Sequence, residues 1–170
     1  MSFATSSTIG ADFNNPSSTQ LFALGTEVLG SGGSEWTYVV ATGTLTTGMI
    51  VALFSAGTAY ALTTALVAGG DAALTTANLA LGAVQTNIPQ GQFGWVARKG
   101  VGLYVATSGT VPPTNVGFSA TAGTIVTGGL VAVGNTAAGI FITTSASTGT
   151  LATAIATLSF PRSVASTPNS

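Results

Sequence analysis

FGWVARKGVGLYVA, residues Phe93–Ala106, contains two short apolar runs on either side of Arg98–Gly100. Both runs are rich in β-branched and aromatic residues, which favour strands. The separation has the length of a hairpin loop, and Gly100 can adopt the positive φ that such loops use. We therefore predict two antiparallel strands, Phe93–Ala97 and Val101–Ala106, with Arg98 and Lys99 at the tip of a solvated turn.

The same pattern extends outward along the chain. From Leu21 onward, short apolar runs alternate with clusters of Gly, Thr, Ser and Asn, which is typical of many short strands. In Glu35–Ala41 (EWTYVVA), Trp36 and Tyr38 share one face of the predicted strand. The other predicted strands are Gly48–Phe54, Val116–Ala120, Leu130–Val133, Ile140–Thr144 and Ala154–Phe160.

These strands predict an all-β fold, a small β-barrel or β-sandwich of short antiparallel strands with at most one short helix. The helix candidate is Asp71–Leu81, with Asp71 as its cap, although a loop fits equally well. We expect residues 1–20 to form an extended N-terminal arm, 21–163 the β domain, and 164–170 a flexible C-terminal tail.

Two segments of the chain resemble each other. GTLTTGMIVAL (Gly43–Leu53) is similar to GTIVTGGLVAV (Gly123–Val133). Either these are two copies of one strand–turn–strand unit, or the likeness arises by chance in a chain rich in Thr, Gly and Ala.

Charge is scarce: 4% of the residues are charged, compared with about 25% in ordinary soluble domains. A net charge of -1 offers no basic face for nucleic acid and no polybasic patch for anionic lipid. The charged residues are Asp12, Glu27, Glu35, Asp71, Arg98, Lys99 and Arg162.

Most catalytic chemistry lacks its residues here. The chain has no histidine and no cysteine, so the commonest general base, the commonest metal ligands and any disulfide are missing. The four acids are scattered, and no phosphate-binding or calcium-binding loop is present. We therefore expect a protein that is not an enzyme and uses no cofactor or metal.

The apolar character of the chain raises the question of a membrane span. Residues 49–67 carry no charge, but they are interrupted by glycine and threonine and have no flanking Lys or Arg. Residues 1–10 lack the basic and apolar regions of a secretory signal. We expect no membrane partner, and action or assembly where the protein is made.

An uncharged exterior suits permanent contact with other proteins. Surfaces of Thr, Ser, Asn, Gly and Ala lose few fully solvated charges when they are buried. Such a surface leaves strand edges without protective lysines. The composition therefore indicates a subunit of an assembly, with much of its surface covered.

Several segments in order resemble the decoration, or cement, proteins of tailed-bacteriophage heads. The clearest is GQFGWVARKGVGLYV (Gly91–Val105); the others are Leu24–Leu53, Val116–Gly129 and Gly139–Ala146. The resemblance covers about residues 24–160 and implies a small β-barrel on the outside of the capsid, at three-fold or quasi-three-fold positions. It also implies binding to the major capsid protein, self-association such as trimer formation, and assembly onto the virion in the host cytoplasm.

Two other functions stay open at this point. One is another virion subunit, such as a tail or fibre component. The other is a carbohydrate-binding module, in which aromatic side chains form a stacking platform. The aromatic candidates for that platform are Trp36, Tyr38, Trp95 and Tyr104.

The candidate contact residues fall into two groups. Phe3, Ile9 and Phe13 are isolated apolar residues in the arm, which either plug into pockets on a neighbouring molecule or belong to a loose terminus. Arg98 and Lys99 are adjacent cations that either form a solvated turn or contact an acidic neighbour.

Overall fold

A computed structural model of the chain describes residues 10–54, 57–61, 80–108, 116–118, 124–127, 135–142 and 152–165. These residues form ten β-strands and a short 3-10 turn at Ser31–Gly33, and no α-helix occurs among them. The strands are β1 Glu27–Leu29, β2 Glu35–Ala41, β3 Ile50–Leu53, β4 Thr58–Ala61, β5 Ala80–Val84, β6 Phe93–Ser108, β7 Val116–Phe118, β8 Ile125–Thr127, β9 Asn135–Ile142 and β10 Ala152–Ala165. The predicted all-β class is confirmed.

Five strands close into a small barrel. Around the barrel, β2 pairs with β4, β4 with β3, β3 with β5, β5 with β6, and β6 returns to β2. The β2–β4 pair is parallel and the other four pairs are antiparallel. Closure leaves none of these strands as an open edge of the barrel wall, which offsets the missing lysines.

The interior of this barrel follows from alternation along the strands. On β2, Val39 and Ala41 point inward, and on β6 Val96 does so. Leu45 and Ile88 exchange two backbone hydrogen bonds of 2.9 and 2.8 Å, and both side chains are fully buried in the same cluster. Gly94 leaves room for Ile88, because a Cβ there would lie 2.7 Å from Ile88 Cδ1 and would force that buried side chain to shift.

A second ring of five strands repeats the pairing order of the first. β6 pairs with β8, β8 with β7, β7 with β9, β9 with β10, and β10 returns to β6. Here too the first and third strands, β6 and β8, are the parallel pair. The last strand of the first ring is thus the first strand of the second, and the two rings share β6.

The prediction of a hairpin at Arg98–Gly100 is wrong. Phe93–Ser108 is one continuous strand, which pairs with β2 from Phe93 to Lys99 and with β10 from Lys99 to Thr107. Its backbone is irregular at Gly100 and Gly102, whose φ angles are 149° and 72°. The glycines therefore bend the strand from one ring into the other and do not reverse it, because partner strands continue on both sides of the bend.

Only part of the sequence repeat can be compared. Ile125–Thr127, which is β8, aligns with Leu45–Thr47, which precede β3 and lie outside the named strands. Leu130–Val133, which align with β3, lie outside the described residues.

Most predicted strands within the described residues have counterparts. β2 has the predicted bounds, and β3, β7, β9 and β10 overlap the strands predicted there. β1, β4, β5 and β8 were not predicted. β5 begins at Ala80, inside the helix candidate Asp71–Leu81, and residues 71–79 of that candidate lie outside the described residues. The predicted strand Leu130–Val133 also lies outside them. β10 continues through Ala165, past the predicted end of the domain.

No helix in the described part of the chain is long and apolar enough to cross a membrane. Within the uncharged stretch 49–67, Ile50–Leu53 and Thr58–Ala61 are barrel strands that pair with each other.

The bend in β6 leads to a testable prediction. Gly102 has open space around its Cα but a φ of 72°, which costs a residue with a side chain about 1–2 kcal/mol. Gly102→Ala should therefore lower the free energy of unfolding by about that amount, measured by urea denaturation. Gly43→Ala is the matched control, since Gly43 also has open space and has no positive φ. Equal stabilities of the two variants would contradict a bent, continuous β6.

Candidate functional site

Five aromatic side chains form a cluster on the outside of the first barrel, which we name the aromatic cradle. Trp36 and Tyr38 come from β2, Phe93 and Trp95 from β6, and Phe22 from the segment before β1. They lie together because β2 and β6 pair with Tyr38 opposite Trp95, and alternate residues on paired strands share a face. The ring centroids of Tyr38 and Trp95 are 4.9 Å apart.

Phe22 and Phe93 extend the cradle on either side of Tyr38. The Phe22 ring makes edge contacts with Tyr38 and with Trp95, both at 5.2 Å between centroids. The Phe93 ring is stacked on Tyr38 at 6.2 Å. Each such pair contributes about 0.5–1.5 kcal/mol beyond the area it buries.

The cradle is occupied by Ala11 and Phe13 of the same chain, which belong to the described part of the predicted N-terminal arm. We call this part, residues 10–20, the arm. Phe13 is only 6% exposed; its ring stacks on Trp36 at 4.7 Å and meets Trp95 edge-on at 5.6 Å. Ala11, two residues earlier, is buried in the same cluster. Burying a phenylalanine side chain contributes about 1.5–3 kcal/mol, so Phe13 is the main anchor of the arm.

Backbone hydrogen bonds align the arm with the barrel. Ser17 and Phe93 exchange two bonds, each of 2.9 Å, as an antiparallel bridge at the start of β6. Thr86 Oγ1 donates to the Asn14 carbonyl at 3.2 Å. The arm is therefore positioned both by the aromatic rings and by main-chain pairing.

A turn next to Phe13 shapes the arm. The Asp12 carboxylate accepts hydrogen bonds from Asn15 Nδ2 at 2.6 Å and from the Asn14 N–H at 2.9 Å. These bonds favour the ionised form, with the Asn15 side chain as the larger cause, and lower the pKa of Asp12 below 3.8.

Two polar groups of the cradle, on Trp36 and Tyr38, have hydrogen-bond partners within the chain. Trp36 Nε1 donates to Ser34 Oγ at 3.0 Å, and the Tyr38 hydroxyl accepts from the Leu21 N–H at 3.1 Å. Tyr38 and Trp95 are each 2% exposed. Two of the four aromatic candidates for a sugar-stacking platform, Tyr38 and Trp95, are thus buried within the chain itself.

The two adjacent cations form ion pairs across strands. Lys99 Nζ lies 2.9 Å from Glu35 Oε1, and these residues are register partners on β6 and β2. Arg98 Nη1 lies 2.8 Å from Glu27 Oε1 on β1. Each cation is therefore neutralised by an acid that is more than 60 residues away in sequence.

The structure places the predicted contact residues in different surroundings. Phe13 is buried in its own barrel, and Arg98 and Lys99 belong to the ion pairs. Phe3 and Ile9 lie outside the described residues. Tyr104 is in β6 opposite Ile155, nine residues beyond Trp95, so its backbone is on the order of 25–30 Å along the strand from the cradle.

Sequence reasoning missed part of the site. Ala11, Phe22 and Phe93 line the contact between arm and barrel, although they were not named as candidates. The sequence contains two local signals for this contact. Phe93 and Trp95 are aromatic residues two positions apart on β6, so they share a face, and Ala11 and Phe13 have the same spacing in the arm. The sequence does not show that β2 pairs with β6. That pairing brings Trp36 and Tyr38 next to Phe93 and Trp95.

Within the described residues, no group of three or more Asp or Glu side chains could hold a metal ion. The chain matches no protein-family model, and no curated protein or solved structure matches it either.

The lowered pKa of Asp12 predicts a dependence on pH. Because its folded pKa lies below the unfolded value, ionised Asp12 stabilises the folded chain above about pH 4, and this contribution is lost as pH falls through the folded pKa. Asp12→Asn should therefore lose less stability than the original chain as the pH falls below about 5, in urea melts followed by tryptophan fluorescence. Parallel pH profiles of the two chains would contradict this role of Asp12.

Proposed function

We propose that the protein is a virion capsid decoration protein, which binds the outer surface of a phage head and stabilises the shell. The observation that carries this proposal is the way the chain uses its few charges. Four of them form two ion pairs within the molecule, and the Asp12 carboxylate is hydrogen-bonded in a turn. The other exposed side chains in the part of the chain whose burial is described are uncharged, mostly Ser, Thr, Asn, Gln and Gly, together with Leu21, Leu29 and Val101.

A neutral exterior suits a large and lasting contact. Burying Thr, Ser, Ala and Gly against another protein removes few fully hydrated charges, so little desolvation opposes the contact. Permanent interfaces are also less dependent on charge than transient ones. We therefore assign capsid binding to apolar and backbone contacts, and not to Arg98 or Lys99.

The barrel architecture supports a mechanical role. A closed barrel has no open edge in its wall, and the second ring joins it through the shared strand β6. Most of Gly91–Val105, the stretch that resembles decoration proteins most clearly, lies in this shared strand, and the hairpin that the resemblance implies is not formed there. The partner is the major capsid protein, and the chain acts as a clamp that binds the assembled shell.

The clamp works by thermodynamic linkage. A protein that binds only the assembled shell stabilises the shell by an amount that grows with its concentration relative to its Kd, about 2.7 kcal/mol at a hundredfold excess over Kd. No catalytic step is needed, and no cofactor takes part.

The first test compares shells with and without the protein. Shells that lack it should release their genome at a lower temperature and in milder osmotic shock, measured with a DNA-binding dye. Adding the purified chain back to deficient shells is the control and should restore the original release temperature. Identical release temperatures in all three samples would refute the clamp.

The number of copies per particle separates the remaining virion roles. Hundreds of copies indicate lattice decoration, whereas a few copies indicate a tail component.

The second test asks whether charge contributes to binding. The double variant Arg98→Met, Lys99→Met should bind shells with a Kd within about twofold of the original, because both cations are already paired within the chain. Raising the salt from about 0.05 to 0.5 M should change the Kd by less than about threefold. A tenfold loss of affinity for shells in either experiment would assign the contact to Arg98 and Lys99.

A further inference from the structure

From the way the arm is seated, we infer that it exchanges between two copies of this chain, so that the arm of each copy fills the aromatic cradle of the other. The occupant of the cradle in this arrangement is residues 10–17 of a second copy. The inference holds whether or not the protein decorates a capsid.

The cradle recognises a short segment by local contacts. Phe13 enters between Trp36 and Trp95, and Ser17 forms its two-bond bridge with Phe93. None of these contacts requires the arm and the cradle to belong to the same chain. The same segment from a neighbouring copy makes identical contacts, which is the basis of low-cost exchange of an identical element.

The connection behind the arm is suited to act as a hinge. Residues 18–21 are all exposed, and Leu21 retains 64% of its accessible surface. From Leu21 the chain is attached to the barrel, since the Leu21 N–H donates to the Tyr38 hydroxyl at 3.1 Å and the Phe22 ring contacts Tyr38 and Trp95. Rearrangement of residues 18–20 therefore separates the exchangeable segment from the fixed part of the chain.

The length of the hinge determines the geometry of the pair. The extended chain from Ser17 to Leu21 spans at most about 14 Å, so the two cradles must face each other at close range. The exposed Leu21 side chain adjoins this crossing and becomes buried there. With a net charge of -1 per chain, two copies can approach this closely with little electrostatic repulsion.

Concentration decides between the closed and the exchanged form. A short flexible connection gives the arm an effective concentration in the millimolar range for its own cradle. Exchange therefore competes when copies are crowded to similar concentrations, as neighbouring subunits of an assembly are.

The first experiment measures the molar mass of the full chain. After incubation at about 1 mM, light scattering should detect a dimer that separates slowly on dilution. Leu21→Ala should reduce the dimer fraction at least tenfold, because the Leu21 side chain is 64% exposed in the closed chain and becomes buried only in the exchanged form. Phe13 makes the same contacts in both forms, so its truncation does not discriminate between them. Val101→Ala is the matched control, because it also removes an exposed apolar side chain, 73% exposed and outside the cradle, and it should leave the fraction unchanged. A chain that stays monomeric at about 1 mM, or a dimer unaffected by Leu21→Ala, would overturn the inference.

The second experiment identifies the contact itself and does not depend on the behaviour of Leu21→Ala. The chain has no native cysteine, so Ser17→Cys and Phe93→Cys can be introduced into separate copies. Directly opposed residues of an antiparallel bridge lie within disulfide range. When the two copies are mixed, concentrated and oxidised, a crosslinked heterodimer should form at least fivefold more than with Thr19→Cys in place of Ser17→Cys, because Thr19 is exposed and outside the bridge. Equal crosslinking of both mixtures would show random collision and refute exchange.

Discussion

The hydrogen-bond ladder along β6 is the interaction on which the other features depend. Its first half closes the barrel with β2, and its second half pairs with β10 in the second ring. Because one strand serves two rings, each ring constrains the direction of the other. Gly100 and Gly102 make this possible, since a continuous ladder can change direction only where the backbone adopts angles that other residues avoid.

The same strand organises the charges and the aromatic rings. Phe93 and Trp95 contribute to the outer face that receives the arm, whereas Arg98 and Lys99 reach acids on β1 and β2. Each ion pair is at least partly exposed and contributes at most about 1 kcal/mol to folding. Their greater effect is on the electrostatic field at the surface. Because each cation is paired with an acid, the field that could attract a charged partner is weak, and the proposed interface relies on shape and apolar contact.

The arm links local sequence to assembly. Its turn is set locally, by Asp12 and the two asparagines that follow it, and its anchor is a single ring, Phe13. The arm is held mainly by the Phe13 side chain and by the Ser17–Phe93 bridge, and residues 18–20 behind it are exposed. We therefore expect it to be held less firmly than the barrel strands are. This difference in local stability is what makes a segment available for exchange between copies, while the barrel itself stays closed.

The sequence by itself determined the class of the fold, because alternation of apolar and polar residues is a local property that strands impose on every stretch such as Glu35–Ala41. It also determined how little charge the surface carries. Only the tertiary structure decided that Arg98 and Lys99 lie within a strand, since the same glycine-containing stretch permits a turn or a bend, and the presence of β2 and β10 on both sides selects the bend. Likewise, nothing local tells whether Phe13 fills a pocket on its own barrel or elsewhere: the cradle exists only once β2 and β6, more than 50 residues apart in sequence, are paired.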